Sequence, residues 1–146
     1  MNTKTSKNLT FFTPKTSESD GTVLIDTGIS AGFPSPADDF RETRISLDEE
    51  LITNKEATFF AKVSGQSMIG AGLDDNDLLV IDRSLEPQNN KIAVCFLDGE
   101  FTVKRLRVEN DEVWLQPENP DYPIIKITEE NNLVIWGIVT SVIKKL

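Results

Sequence analysis

The sequence predicts a mainly β fold: a compact, strongly curved antiparallel β barrel or sandwich with one short helix and an extended N-terminal arm. Three observations carry this expectation. From Ala57 onward, short apolar and β-branched runs alternate with turn residues, the pattern of a strand-built domain. Asp98-Gly99, set between two such runs, is a strong signal for a two-residue hairpin. Residues 1–31, by contrast, are rich in Thr, Ser and Lys and show no sustained period, so they read as an arm and not as a domain.

In chain order, the arm holds two apolar clusters, Leu9-Phe11-Phe12 and Val23-Leu24-Ile25. Its lysines and carboxylates cancel, so the formal charge of −9 belongs to the remainder. Phe33-Pro34-Ser35-Pro36 follows, and two prolines one residue apart hold the backbone extended. This stiff joint separates the arm, 1–31, from a body, 32–146. Ser46-Leu47-Asp48-Glu49 has the S-x-x-E form of a capping box and predicts one brief helix near residues 46–54. Strands are expected over 58–63, 77–81, 91–97, 100–108, 113–115, 124–128 and 133–142.

Composition narrows the chemistry. A chain of 146 residues supports one domain with a hydrophobic core plus a tail. No apolar run reaches the roughly 18 residues of a membrane span, and the N-terminus lacks the apolar segment of a secretory signal, so a soluble, cytoplasmic protein away from membranes is expected. Cys95 is the single cysteine and histidine is absent, which removes the intramolecular disulfide and the usual nitrogen ligands; neither a metal nor another cofactor is expected. The acidic balance argues against direct, sequence-specific DNA binding. Without histidine, a serine or cysteine nucleophile needs another proton acceptor, such as a lysine made neutral by burial or a carboxylate.

Val63-Ser64-Gly65-Gln66-Ser67-Met68-Ile69-Gly70 places a serine just after a strand, beside glycines that permit a tight turn. Alone, the segment is weak evidence and reads more readily as a polar strand-to-turn connection. Lys104 shares a strand face with Thr102, Leu106 and Val108, opposite Phe101, Val103, Arg105 and Arg107. Two readings are open for it: a lysine that snorkels at an edge, or a desolvated lysine whose pKa falls from about 10.4 far enough to act as a base. Cys95 reads as a core residue, and Asp74-Asp75-Asn76-Asp77, which lacks the distal glutamate of a calcium loop, as a solvated turn.

Taken together, Ser64-Gly65-Gln66-Ser67-Met68, the run from Gly72 to Asp82 and the hairpin from Asp98 to Leu106 resemble the LexA/UmuD family of self-cleaving Ser-Lys peptidases. The resemblance extends from about Gly32 to the C-terminus. Lys104 follows Ser67 by 37 positions and Ala31-Gly32 lies upstream, a combination far more specific than any one part. It implies that Ser67 and Lys104 form a catalytic pair, that Ala31-Gly32 is the bond cut, and that backbone N–H groups around Ser67 and Met68 hold the oxyanion. The likeness is nearest to the UmuD side of the family, because only 31 residues precede the cleavage site, too few for a repressor's helix-turn-helix domain. That side implies a homodimer, stimulation by the RecA filament on single-stranded DNA, and a processed form serving as accessory subunit to a translesion polymerase (UmuC-like) in the SOS response. Two alternatives stand beside it: a binding module of the same fold that never cleaves, and a free-standing self-cleaving regulator.

Overall fold

The structure, a computed structural model, describes residues 3–5, 9–16, 21–25, 31–32 and 42–146; the proline joint at 33–36 lies outside the described residues. In chain order its strands are β1 (Thr3–Thr5), β2 (Leu9–Phe12), β3 (Thr22–Ile25), β4 (Glu42–Ile45), β5 (Thr58–Val63), β6 (Leu78–Asp82), β7 (Ile92–Leu97), β8 (Glu100–Glu109), β9 (Glu112–Gln116), β10 (Ile125–Lys126) and β11 (Leu133–Ile143). Among the described residues a single α-helix, α1, spans Leu47–Leu51. The chain divides into two compact units, residues 1–14 with 54–146, and residues 15–53.

The first unit is one antiparallel sheet in the order β1-β2-β5-β6-β11-β7-β8-β9-β10, curled into a half-barrel. Alternation gives the sheet two apolar faces. Along β7, Val94 enters a cluster with Leu9, Phe11, Val63, Leu79, Ile81 and Val103, while its neighbours Ala93 and Cys95 enter another with Leu106, Leu115 and Ile138. Cys95 is fully buried, the core position expected of it. Two register shifts bend β11, one of them between Ile135 and Gly137. There a Cβ on Gly137 would stand 2.5 Å from Ile81 Cγ2, so the bend requires glycine.

The β7–β8 hairpin turns on Asp98 and Gly99, both with positive φ, +48° and +89°, as a two-residue primed turn demands. This fixes the register that pairs Ala93 with Lys104 and Cys95 with Thr102. Asn110 and Asp111, at φ +50° and +64°, make a second such turn between β8 and β9. Asn and Asp tolerate the left-handed region, which lets this pair make the turn.

The two apolar clusters of the arm are both strands. Leu9-Phe11-Phe12 belongs to β2, which joins the main sheet beside β5, and Val23-Leu24-Ile25 belongs to β3. In the second unit β3 pairs with β4. Helix α1 follows β4 and is shorter than the sequence predicts. The Ser46 side chain caps it by accepting from Glu49 N–H at 3.5 Å, but Ile52 is already extended. β-branched Ile52 and Thr53 followed by Asn54 disfavour another turn.

Candidate active site

Ser67 sits in the loop that follows β5, and three contacts shape that loop. Gly65 has φ +110°, open to glycine at little cost, and its N–H donates to Asp75 Oδ1 at 2.9 Å. Asn119 Nδ2 donates to the Gln66 carbonyl at 2.8 Å, while Asn119 Oδ1 accepts from Asp121 N–H, so the amide is held at both ends. Beyond the serine, Gly70 N–H donates to the Glu118 carbonyl at 2.7 Å; a Cβ at Gly70 would lie 2.6 Å from that oxygen. Met68, 3% exposed, anchors the turn in the core.

Lys104 reaches the same point from the middle of β8. Its Nζ lies 3.0 Å from Ser67 Oγ, 2.8 Å from Thr102 Oγ1 and 3.0 Å from the Val103 carbonyl. Of the two readings open for this lysine, burial decides for the desolvated one, since Lys104 is only 7% exposed. Burial lowers its pKa below the usual lysine range, against a smaller opposing effect of Cys95. The Cys95 thiol is itself pushed up to about 12 by burial, so it is uncharged at neutral pH and offers no counter-ion to an ammonium.

A neutral lysine has two N–H donors and one lone pair. The Val103 carbonyl can only accept and the Thr102 hydroxyl can accept, which uses both donors. The lone pair is left facing the Ser67 hydroxyl, the arrangement in which an amine takes a proton from serine. Among the described residues, the backbone N–H groups of Ser67 and Met68 donate to no protein acceptor. Because a trans peptide carries its C=O and N–H in opposite directions, the Asn119 contact to Gln66 also fixes the direction of Ser67 N–H.

The pair opens into a cleft of about 330 Å³ whose walls include Leu9, Met68, Phe101, Tyr122 and Ile125. Ala31 and Gly32 belong to the second unit, where both are exposed and in bends; a Cβ at Gly32 would meet nothing within 4 Å. Ser30 lies outside the described residues.

The acidic turn before β6 is not simply solvated. Asp77 is 5% exposed, and Lys144 Nζ donates to both Asp77 and Asp74. Burial opposes ionisation of Asp77, but the Lys144 hydrogen bond, the Asp74 N–H and the Lys144 charge together hold its carboxyl below the usual range. Asp74 and Asp77 thus tie the end of the chain to the loop, and Asp75 shapes the serine turn. Thr102, Asn119 and Asp75 had not been singled out as site residues from the sequence. Thr102 had a signal, two positions from Lys104 on one strand face; Asn119 reaches Gln66 across 53 positions and Asp75 reaches Gly65 across 10, contacts that no local periodicity encodes.

The Peptidase S24-like family matches residues 23–140. Protein ImpA of Salmonella typhimurium is 44% identical over 115 residues, 79% of this chain and 78% of its own length. Protein MucA of the same organism is 43% identical over 113 residues, 77% of each chain. A LexA repressor of Acidithiobacillus ferrooxidans is 37% identical over 119 residues, which are 80% of this chain and 58% of the repressor.

Proposed function

Because the chain belongs to the Peptidase S24-like family, we propose that it is a serine endopeptidase that cuts its own Ala31–Gly32 bond, with Ser67 as nucleophile and Lys104 as general base. The observation that carries this reading is the 3.0 Å approach of a buried lysine Nζ to Ser67 Oγ in a chain without histidine. Neutral Lys104 takes the Ser67 proton as Oγ attacks the Ala31 carbonyl. The Ser67 and Met68 N–H groups are the donors for the oxyanion. Collapse of the tetrahedral intermediate breaks the Ala31–Gly32 bond, and Lys104 returns the proton to the departing Gly32 amine. Water, deprotonated by the same lysine, then attacks the ester that joins Ala31 to Ser67 Oγ; as that bond breaks Lys104 returns the proton to Oγ, and Ala31 leaves as a carboxylate. Small residues on both sides of the bond let the backbone approach the nucleophile closely.

The wider role rests on the likeness to the UmuD side of the family. The processed protein acts in the cytoplasm as a homodimer and as the accessory subunit of an error-prone translesion polymerase (UmuC-like), in SOS mutagenesis. The RecA filament on single-stranded DNA favours the conformation that brings the bond to Ser67. The match to a LexA repressor supports a second reading, a self-cleaving regulator with another partner. Affinity purification from DNA-damaged cells separates them: a polymerase catalytic subunit recovered with the cut form supports the accessory role, and recovery of a different partner alone supports the regulator. Purified activated RecA filament is expected to accelerate the cut; an unchanged rate would remove RecA from the account.

A further inference from the structure

We infer that the edge of β5 is a binding surface for an extended apolar-x-apolar segment, that its resident is the arm's own Leu9-Thr10-Phe11-Phe12, and that a chain cut at Ala31–Gly32 keeps its N-terminal fragment as a non-covalent strand. The setting rests on the self-cleavage proposed above; the strand contact does not.

β2 pairs antiparallel with β5 along its whole length, Leu9 opposite Val63 and Phe12 opposite Phe60. Alternate side chains turn inward, and Leu9 and Phe11 are 2% and 5% exposed. The Phe11 ring packs against Phe101 and Trp136 at centroid distances of 4.9 Å and 4.8 Å. On its other edge β2 carries β1, so the fragment docks as a two-stranded ribbon. Without β2, β5 would be a sheet edge with a row of unpaired N–H and C=O groups above an apolar slot, the type of surface that takes an added strand.

Hydrolysis at Ala31–Gly32 breaks none of these contacts. Cutting only turns an intramolecular contact into an intermolecular one. Leu9 also lines the cleft that holds Ser67 and Lys104, so a retained fragment keeps one wall of the site in place. Cutting and uncovering are therefore separate events, and the β5 edge becomes available only when the fragment leaves.

The test uses the full chain carrying Ser67→Ala, with the recognition sequence of a site-specific protease inserted between Ala31 and Gly32. After complete cleavage by the added protease, size-exclusion chromatography with intact-mass detection shows whether the fragment travels with the body. Tryptophan emission in a chain that also carries Trp114→Phe, leaving Trp136 as its one tryptophan, reports the Phe11 contact. The expected result is co-elution with unchanged emission, and a dissociation constant raised on the order of 100-fold by Phe11→Ala but little by Thr10→Ala. Separation of the unaltered fragment upon cutting would overturn the proposal, as would retention insensitive to Phe11. The fragment also carries β3, which pairs with β4 of the body, so a second cut chain carrying Leu24→Pro, which breaks that pairing, keeps the proposal decidable if Phe11→Ala fails to fold: retention through β2 is expected, and release would overturn it. Because Ser67 is already replaced, the outcome is independent of whether Ser67 cuts the chain.

Discussion

At Lys104 Nζ three oxygens converge, and the protonation state of that one nitrogen controls the proposed reaction. With a pKa lowered by burial, the neutral base accumulates as pH rises through a value below 10.5. Self-cleavage should therefore rise with pH and level off before ordinary lysines titrate; a flat rate from neutral pH to about 10 would count against lysine as base. The same shift has a sign for stability. Between the folded and unfolded pKa values the unfolded chain binds more protons, so this group makes the fold more stable as pH rises through that window. Lys104→Arg, permanently charged, should abolish cleavage. Asn119→Asp removes the donor to Gln66 while keeping the acceptor for Asp121, and is expected to slow cleavage about 10- to 100-fold. An unchanged rate, read from the first-order loss of intact chain, would show that this amide does not position the serine. Ser67 and Lys104 were legible in the sequence through the family resemblance, which joins by their spacing of 37 positions two segments that are each ambiguous alone. Asn119 was not: it reaches Gln66 across 53 positions, and no local periodicity encodes that distance.

The elements position these residues through turns and close approaches. Gly70 passes so near the Glu118 carbonyl that a Cβ would stand 2.6 Å from it. Gly70→Ala should displace the serine loop, lowering both thermal stability and cleavage rate, whereas Glu118→Ala, which keeps its backbone carbonyl, should spare the loop. At the far end of β11, Lys144 holds Asp77. A carboxyl depressed below 3.8 contributes stability that is complete above that value and is lost as pH falls through the folded pKa. Lys144→Met should weaken this dependence, seen as a flatter fall of unfolding free energy below about pH 4; an unaltered acid limb would refute the pairing. Strands β5 to β9 and β11 were legible because they are short apolar and β-branched runs whose ends carry turn residues. β2 was not: four residues long, it acquires strand character only by pairing with β5, more than forty positions away. The helix was overextended in the sequence reading because the capping box marks a start and nothing in it marks the end.

For the whole molecule, the sheet order joins the first strands of the chain to the middle of the sequence and the last strand to its centre. Such non-local pairing is what sequence patterns leave undetermined; they specified the β class, while the sheet order came from tertiary contact. The division into two units cuts across the arm, with residues 1–14 in one and 15–53 in the other. Nucleophile and base thus lie in one unit and the proposed scissile bond in the other. The measurement that tests the central claim most directly is intact-mass spectrometry of the purified chain held at mildly alkaline pH, wild type beside Ser67→Ala and Lys104→Ala. The account predicts fragments ending at Ala31 and beginning at Gly32 in the wild type alone. An unbroken chain in all three, with activated RecA filament present, or cleavage that survives either substitution, would contradict it.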